Sequence, residues 1–275
     1  MSITIKSELE LEKMRIAGKL AASVLNYITP FVKVGITTDE LNTLCHNYTL
    51  NEIDSIPAPL NYGEPPFPKS ICTSVNNVVC HGIPSNKKLK NGDILNIDIT
   101  IIKNGYHGDT SKMFILGKKP SIKAKRITQI ARDCLIIGIK AIKVGEPFNN
   151  IGKAIEKYAH SKNVSVVHDY CGHGIGANFH EEPQVVHYDD SKEIVKNKTG
   201  KEIKKQAIII EEGMCFTIEP MINIGKFEVN LSPQDNWTVT TRDRSLSAQW
   251  EHTILITKNG IEISTLRDEE TDLIL

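Results

Sequence analysis

The chain has 275 residues, 40% of them apolar, enough to bury one sizeable core or two closely packed halves. Thirty-three basic residues balance thirty-three acidic ones, so no overall field draws the protein to nucleic acid or to an anionic membrane. The first residues lack the apolar run of a signal peptide and no stretch reaches the roughly 20 residues that cross a bilayer, so the expected location is the cytoplasm. Six cysteines (Cys45, Cys72, Cys80, Cys134, Cys171, Cys215) are spread without a C-x-x-C pair and read as reduced thiols.

In chain order, Ser7 with Glu10 is a capping-box signal, and Leu9, Ile16, Leu20, Val24 and Ile28 recur at helical spacing up to Pro30. Val34-Gly35 closes that region, and Thr37 with Glu40 starts a shorter helix through Leu41, Leu44 and Tyr48. The second half repeats the plan. Ser121 opens a helix through Ile127, Ile130, Leu135 and Ile139, Val144-Gly145 stops it, and Asn149 or Asn150 is expected to cap another through Ile151, Ile155 and Tyr158. Each half therefore reads as two helices followed by strands, which predicts α+β halves joined near Gly117 to Pro120, with helices covering a mainly antiparallel sheet. One domain, 1–275, with an internal repeat of about 1–117 and 118–275, is expected.

The strands carry the chemistry. From Ile94 to Ile102, Ile97, Ile99 and Ile101 point one way while Asn96, Asp98 and Thr100 point the other. Asn104-Gly105 then signals a two-residue hairpin turn. Such a turn sets Asp109 opposite Thr100 and diagonal to Asp98, with backbones roughly 7–8 Å apart. Two carboxylates that close must take up protons or hold a cation; for this hairpin alone, a solvated polar face accounts for the pattern equally well.

The second half decides between them. Thr217-Ile218-Glu219-Pro220 echoes Asn96-Ile97-Asp98-Ile99, Cys80-His81-Gly82-Ile83 echoes Gly172-His173-Gly174-Ile175, and Glu251 stands where Asp109 does. Acids flanked by Ile, Phe and Trp are seldom buried without a partner. Four carboxylates and the imidazole of His173 suit a pair of first-row divalent ions, with Mn, Fe, Co or Zn all chemically acceptable. The Gly172-x-Gly174-x-Gly176 run has neither Rossmann nor Walker spacing and reads as close backbone packing. His46, His107, His160, His168, His187 and His252 read as structural or surface residues, and Glu181 and Glu182 as supporting or surface acids.

The stretches Val79-Cys80-His81-Gly82-Ile83-Pro84, Gly108-Asp109-Thr110-Ser111, Cys171-Gly172-His173-Gly174-Ile175-Gly176, Phe179-His180-Glu181-Glu182-Pro183, Phe216-Thr217-Ile218-Glu219-Pro220 and Ser247-Ala248-Gln249-Trp250-Glu251-His252-Thr253 closely resemble those of type I methionine aminopeptidases, nearly end to end. The resemblance implies the pita-bread fold and removal of the initiator methionine from nascent chains when the second residue is small. It implies Asp98, Asp109, His173, Glu219 and Glu251 as metal ligands, with Asp109 and Glu251 bridging two divalent ions. It places His81 and His180 beside the substrate, with Glu219 also accepting a proton from the attacking water. It implies a methionine pocket near Tyr62, Phe67, Cys72, Phe179 and Trp237, and a monovalent cation near Asn76, Val78 and Ser247. The segment Ala58 to Pro66 departs from the family pattern, with Pro59 where bacterial relatives often have cysteine.

The lysine-rich stretch Ser191 to Gln206 is longer than in short relatives; it reads as a solvated excursion, with transient contact to ribosomal RNA as the livelier alternative. A monomer is expected, with nascent polypeptides as substrates. Two rival readings stand beside this one. A prolidase or aminopeptidase P would share the metal pair but usually carries a long additional N-terminal domain for which the chain has no room, and an inactive binding relative should lack ligands.

Overall fold

The computed structural model describes residues 2–196, 202–204 and 207–273. Of the lysine-rich stretch, residues 197–201 and 205–206 lie outside the described residues.

Helix α1, Glu8–Ile28, starts at Ser7, whose N–H donates to the Glu10 carboxylate at 2.8 Å. Helix α2, Thr38–Asn47, starts the same way: the Thr37 N–H meets Glu40 at 2.7 Å and the Glu40 N–H returns to Thr37 Oγ1 at 3.1 Å. Helix α3, Ile122–Lys140, is capped by Ser121 Oγ, which accepts the Ala124 N–H at 3.0 Å. Helix α4, Asn149–Ser161, departs from the expected asparagine cap, because the residue before it is Phe148. The Phe148 ring packs on Phe216 with centroids 4.7 Å apart and its N–H is held by Ile208 O at 2.8 Å, so tertiary packing starts this helix. Gly35 and Gly145 both have positive φ, +96° and +84°, at the corresponding turns.

The longest hairpin pairs Ile94–Lys103 with Tyr106–Ile115, antiparallel along its whole length, with Asp109 opposite Thr100 as expected. Asn104 and Gly105 both take positive φ, +53° and +76°, the pattern of a type I′ turn. On its other edge Cys72–Val75 joins, with Cys72 opposite Asp98. In the second half Cys215–Ile218 lies between His252–Thr257 and Gly172–Gly174, again antiparallel. Past a break at Glu219 and Pro220, Met221–Asn223 pairs with Ser247–Gln249 in the same register. The interruption has a local cause, since Pro220 has no N–H to give a ladder.

Each sheet buries one face under its own helices. Leu25 and Leu41 of the first two helices pack with Leu95, Ile97, Ile99 and Ile101, while Leu135, Ile151 and Ile155 of the later two pack with Phe216 and Ile254. The sheets meet where the Glu251 N–H donates to Ser111 O at 3.2 Å and Thr253 Oγ donates to Asp109 O at 2.8 Å. This is the α+β pita-bread architecture that the resemblance implies, and it brings the acid-bearing strands of both halves into contact.

Candidate metal centre

The alternation that buries Ile97, Ile99 and Ile101 forces Asp98 and Thr100 to the opposite face, and the type I′ register brings Asp109 beside them. Glu251 arrives from the second sheet through its bridge to Ser111. One carboxylate oxygen each from Asp98, Asp109 and Glu251 lie within 4.8 Å of one another. His173 Nε2 comes within 3.6 Å of Asp109 Oδ2 and 3.7 Å of Glu219 Oε1. Its Nδ1–H is engaged by Gly174 O at 2.9 Å, which leaves the Nε2 lone pair facing the acids. All five side chains expected to hold metal thus converge. The glycine run around His173 packs as expected: a Cβ on Gly172 would stand 2.4 Å from Thr217 O, and one on Gly174 2.2 Å from Glu182 O.

So much negative charge cannot stay ionised alone. Burial, then Asp109 and Glu219, push Asp98 far above the carboxylate range, and burial with Asp109 does the same for Glu251, against the opposing pull of Arg267. Burial raises Glu219 to about 7, with His173 pulling it down and Asp109 adding to the rise. Burial disfavours a charged His173, yet Asp109 and Glu219 outweigh it and raise that ring. Asp98 Oδ1 is buried with no hydrogen-bond partner among the described residues. Oxygen-rich donors with one imidazole, crowded enough to hold protons and with an oxygen left over, fit divalent cations.

The centre forms the floor of a cavity of about 400 Å³. Tyr62, Phe67, Cys72, Phe179 and Trp237, expected around methionine, all line it, as do His81 and His180. Trp237 meets Phe67 edge to face at 5.3 Å and His81 at 5.9 Å, and its indole N–H holds Pro65 O at 2.8 Å, tying the divergent 58–66 segment to the second half. Pro59 lines the cavity too. His81 has φ +55°, a strained value for a residue with a side chain. Its burial lowers the ring to about 4, so it is neutral. His180, at the mouth, hydrogen-bonds Tyr62 Oη through Nδ1 at 2.7 Å; burial and then His173 push it below the ordinary histidine value. Asn76, Val78 and Ser247 lie outside the cavity, but the Ser247 N–H donates to Asn76 O at 2.9 Å and the buried Ser247 Oγ has no partner among the described residues.

Sequence reasoning missed the groups that orient Glu219. Thr217 Oγ donates to its Oε1 at 2.7 Å and Gln249 Nε2 to its Oε2 at 3.1 Å, while the Glu219 N–H is accepted by His187 Nε2 at 3.1 Å. His187, read as structural from sequence, is wholly buried behind this acid. His107 likewise belongs near the site, stacked on Phe179 at 5.5 Å. Tyr170, edge-on to His81 at 5.6 Å, and Met221 complete the walls. Gln249 was within reach of the alternation argument, two residues from Glu251; the others depend on tertiary contacts.

The chain matches metallopeptidase family M24 over residues 12–258. It is 51% identical to a methionine aminopeptidase of Salmonella typhimurium over 272 residues, 98% of this chain and 97% of that protein. The crystal structure of methionine aminopeptidase from Rickettsia prowazekii superposes with a TM-score of 0.87 at 50% identity, covering 96% of this chain and all of the other. Prolidase from Pyrococcus furiosus shares the fold at a TM-score of 0.69 and 21% identity, with 96% of this chain covering 66% of that one.

Proposed function

Because the chain belongs to metallopeptidase family M24 and, within it, to the methionine aminopeptidases, we propose that its cavity removes the initiator methionine from polypeptides whose second residue is small. The observation that carries the site assignment is the convergence of Asp98, Asp109 and Glu251 oxygens within 4.8 Å, with His173 Nε2 beside Asp109 and Glu219. These five residues would hold two divalent ions, and Co, Mn, Fe or Zn suits the donors. Bound there, such ions supply a water acidified towards neutrality and a Lewis acid for the scissile carbonyl.

The protein's own groups do the rest. Glu219, held by Thr217 and Gln249, takes up the proton of the attacking water. His180 is neutral, and in the tautomer whose Nδ1 accepts from the Tyr62 hydroxyl, Nε2–H is left to donate to the oxyanion. His81 meets the scissile amide nitrogen. Tyr62, Phe67, Cys72, Phe179 and Trp237 enclose the methionine thioether, which favours polarizable and aromatic walls. Outside the cavity, Asn76, Val78 and Ser247 would hold a monovalent cation, a reading supported by the buried Ser247 Oγ, which has no partner among the described residues. The chain works as a single domain built from a repeat, as a cytoplasmic monomer.

Peptides beginning Met-Ala, Met-Lys and Ala-Pro test this reading on metal-loaded protein. Cleavage of Met-Ala far above Met-Lys is expected; a preference for the proline peptide, or none at all, would overturn it. His81→Ala and His180→Ala should each lower turnover by about 10²-fold or more with metal content unchanged. Loss of metal in either variant would remove that histidine from its assigned place.

A further inference from the structure

Lys6 stands in a segment whose neighbours Thr4, Ile5, Ser7 and Glu8 are exposed, yet it is 5% exposed itself. A buried ammonium needs a partner. Its Nζ pairs with Glu181 Oε2 and reaches Thr4 O at 3.3 Å, and the paired side chains are 2% and 7% exposed. The other Glu181 oxygen accepts the Asn178 N–H at 3.1 Å, while the Gly176 N–H donates to Asn178 O at 3.1 Å. The turn 176–181 therefore closes around the ion pair. A Cβ on Gly176 would lie 2.6 Å from Lys6 Cε and 2.7 Å from Glu181 Oε1, so a side chain there would push the paired groups aside. Lys6 is anchored in turn, its N–H held by Gly213 O at 2.8 Å, two residues before the strand that leads to Glu219.

That turn carries Phe179 and His180, whose rings stack with centroids 4.4 Å apart, and Glu181 directly follows His180. A buried ion pair is weak evidence for stability, since apolar side chains of like volume hold a fold as well. What this pair does is bind one turn, through two separate oxygens, to a distant segment. We propose that Lys6 and Glu181 are positioning residues that fix the turn 176–181 and so set His180 over the cavity, an inference that rests on the reading of His180 as a substrate-contacting group.

The holoenzyme of the double variant Lys6→Met/Glu181→Gln, which leaves no unpaired charge, tests it. Turnover should fall between about tenfold and a hundredfold with KM and metal content near wild type, as expected when a reacting group is displaced by about an ångström. Lys6→Arg alone, which keeps a cation beside the Glu181 carboxylate, should retain most of the wild-type rate. Adding His180→Ala to the double variant should cost less than the product of the separate losses. Wild-type turnover in the double variant, a change in melting temperature alone, or losses that multiply would overturn the proposal. Wild-type turnover in His180→Ala by itself would instead overturn the reading of His180.

Discussion

In the first half, Asp98 and Asp109 sit on one uninterrupted ladder closed by Asn104-Gly105, whereas in the second half Glu219 and Glu251 come from segments some thirty residues apart whose ladder is broken at Pro220. The two arrangements also hold their acids differently. The Asp109 carboxylate accepts from Thr100 Oγ at 2.8 Å and its backbone N–H donates to Thr253 Oγ at 3.3 Å, while Glu219 is held at both carboxylate oxygens and at its backbone N–H. In the local hairpin the register of the strands does most of the aiming; at Glu219, where the ladder is interrupted beside the acid, side chains grip both oxygens instead.

The largest effects test whether the halves contribute equally. Asp109→Asn and Glu251→Gln should each lower metal content and turnover by well over 100-fold, beyond the 10–100-fold that the partners of a ligand command. Metal analysis alongside kinetics checks this, and a variant that keeps full metal would show that its half does not share the centre.

Removing the metal should expose the charge crowding as a pH effect. In the metal-free protein Glu219 titrates near 7 and Asp98 and Glu251 lie well above the ordinary range, so these three acids keep protons in the folded state that the unfolded chain gives up above about pH 4.5. The buried neutral rings of His81, His107, His180, His187 and His252 act in the opposite sense, with or without metal, so the acids are read as a difference: the stabilisation that metal adds should grow as pH rises from about 5 through 7. Denaturant midpoints with and without chelator would read it; a gap between them that shrinks over this window contradicts the crowding.

The supports of Glu219 come next. Gln249→Ala or Thr217→Ala should cost about 10–100-fold in metal affinity or turnover, and Thr100→Ala less, because the first hairpin keeps Asp109 in register without it. Titration calorimetry with the metal would compare them; equal losses would erase the contrast between the halves. The smallest effect is expected at the turn itself. Gly105→Ala should destabilise by about 1–2 kcal/mol, the cost of a side chain at positive φ, and leave turnover per folded molecule unchanged.

Much of this was legible in the chain because its signals are local. The capping pairs at Ser7 and Thr37, the period-2 run from Ile94 and the Asn104-Gly105 turn each act within a few residues, and they sufficed to put Asp109 opposite Thr100. The internal echo extended that geometry to Glu219 and Glu251. The start of helix α4 at Phe148 was not legible, because a ring contact with Phe216 sets it. The roles of His187, His107 and Lys6 were hidden for the same reason, since each partner lies more than thirty residues away in sequence.

Sequence alone picked out the four acids and the His173 imidazole that the structure brings together, because alternation, turn chemistry and the repeat are properties of short segments. Tertiary structure decided how each is aimed. Which carboxylate oxygen is left open, which nitrogen of His173 faces the acids and what holds the turn around His180 depend on contacts between distant strands, and no local pattern encodes a distance across a cavity.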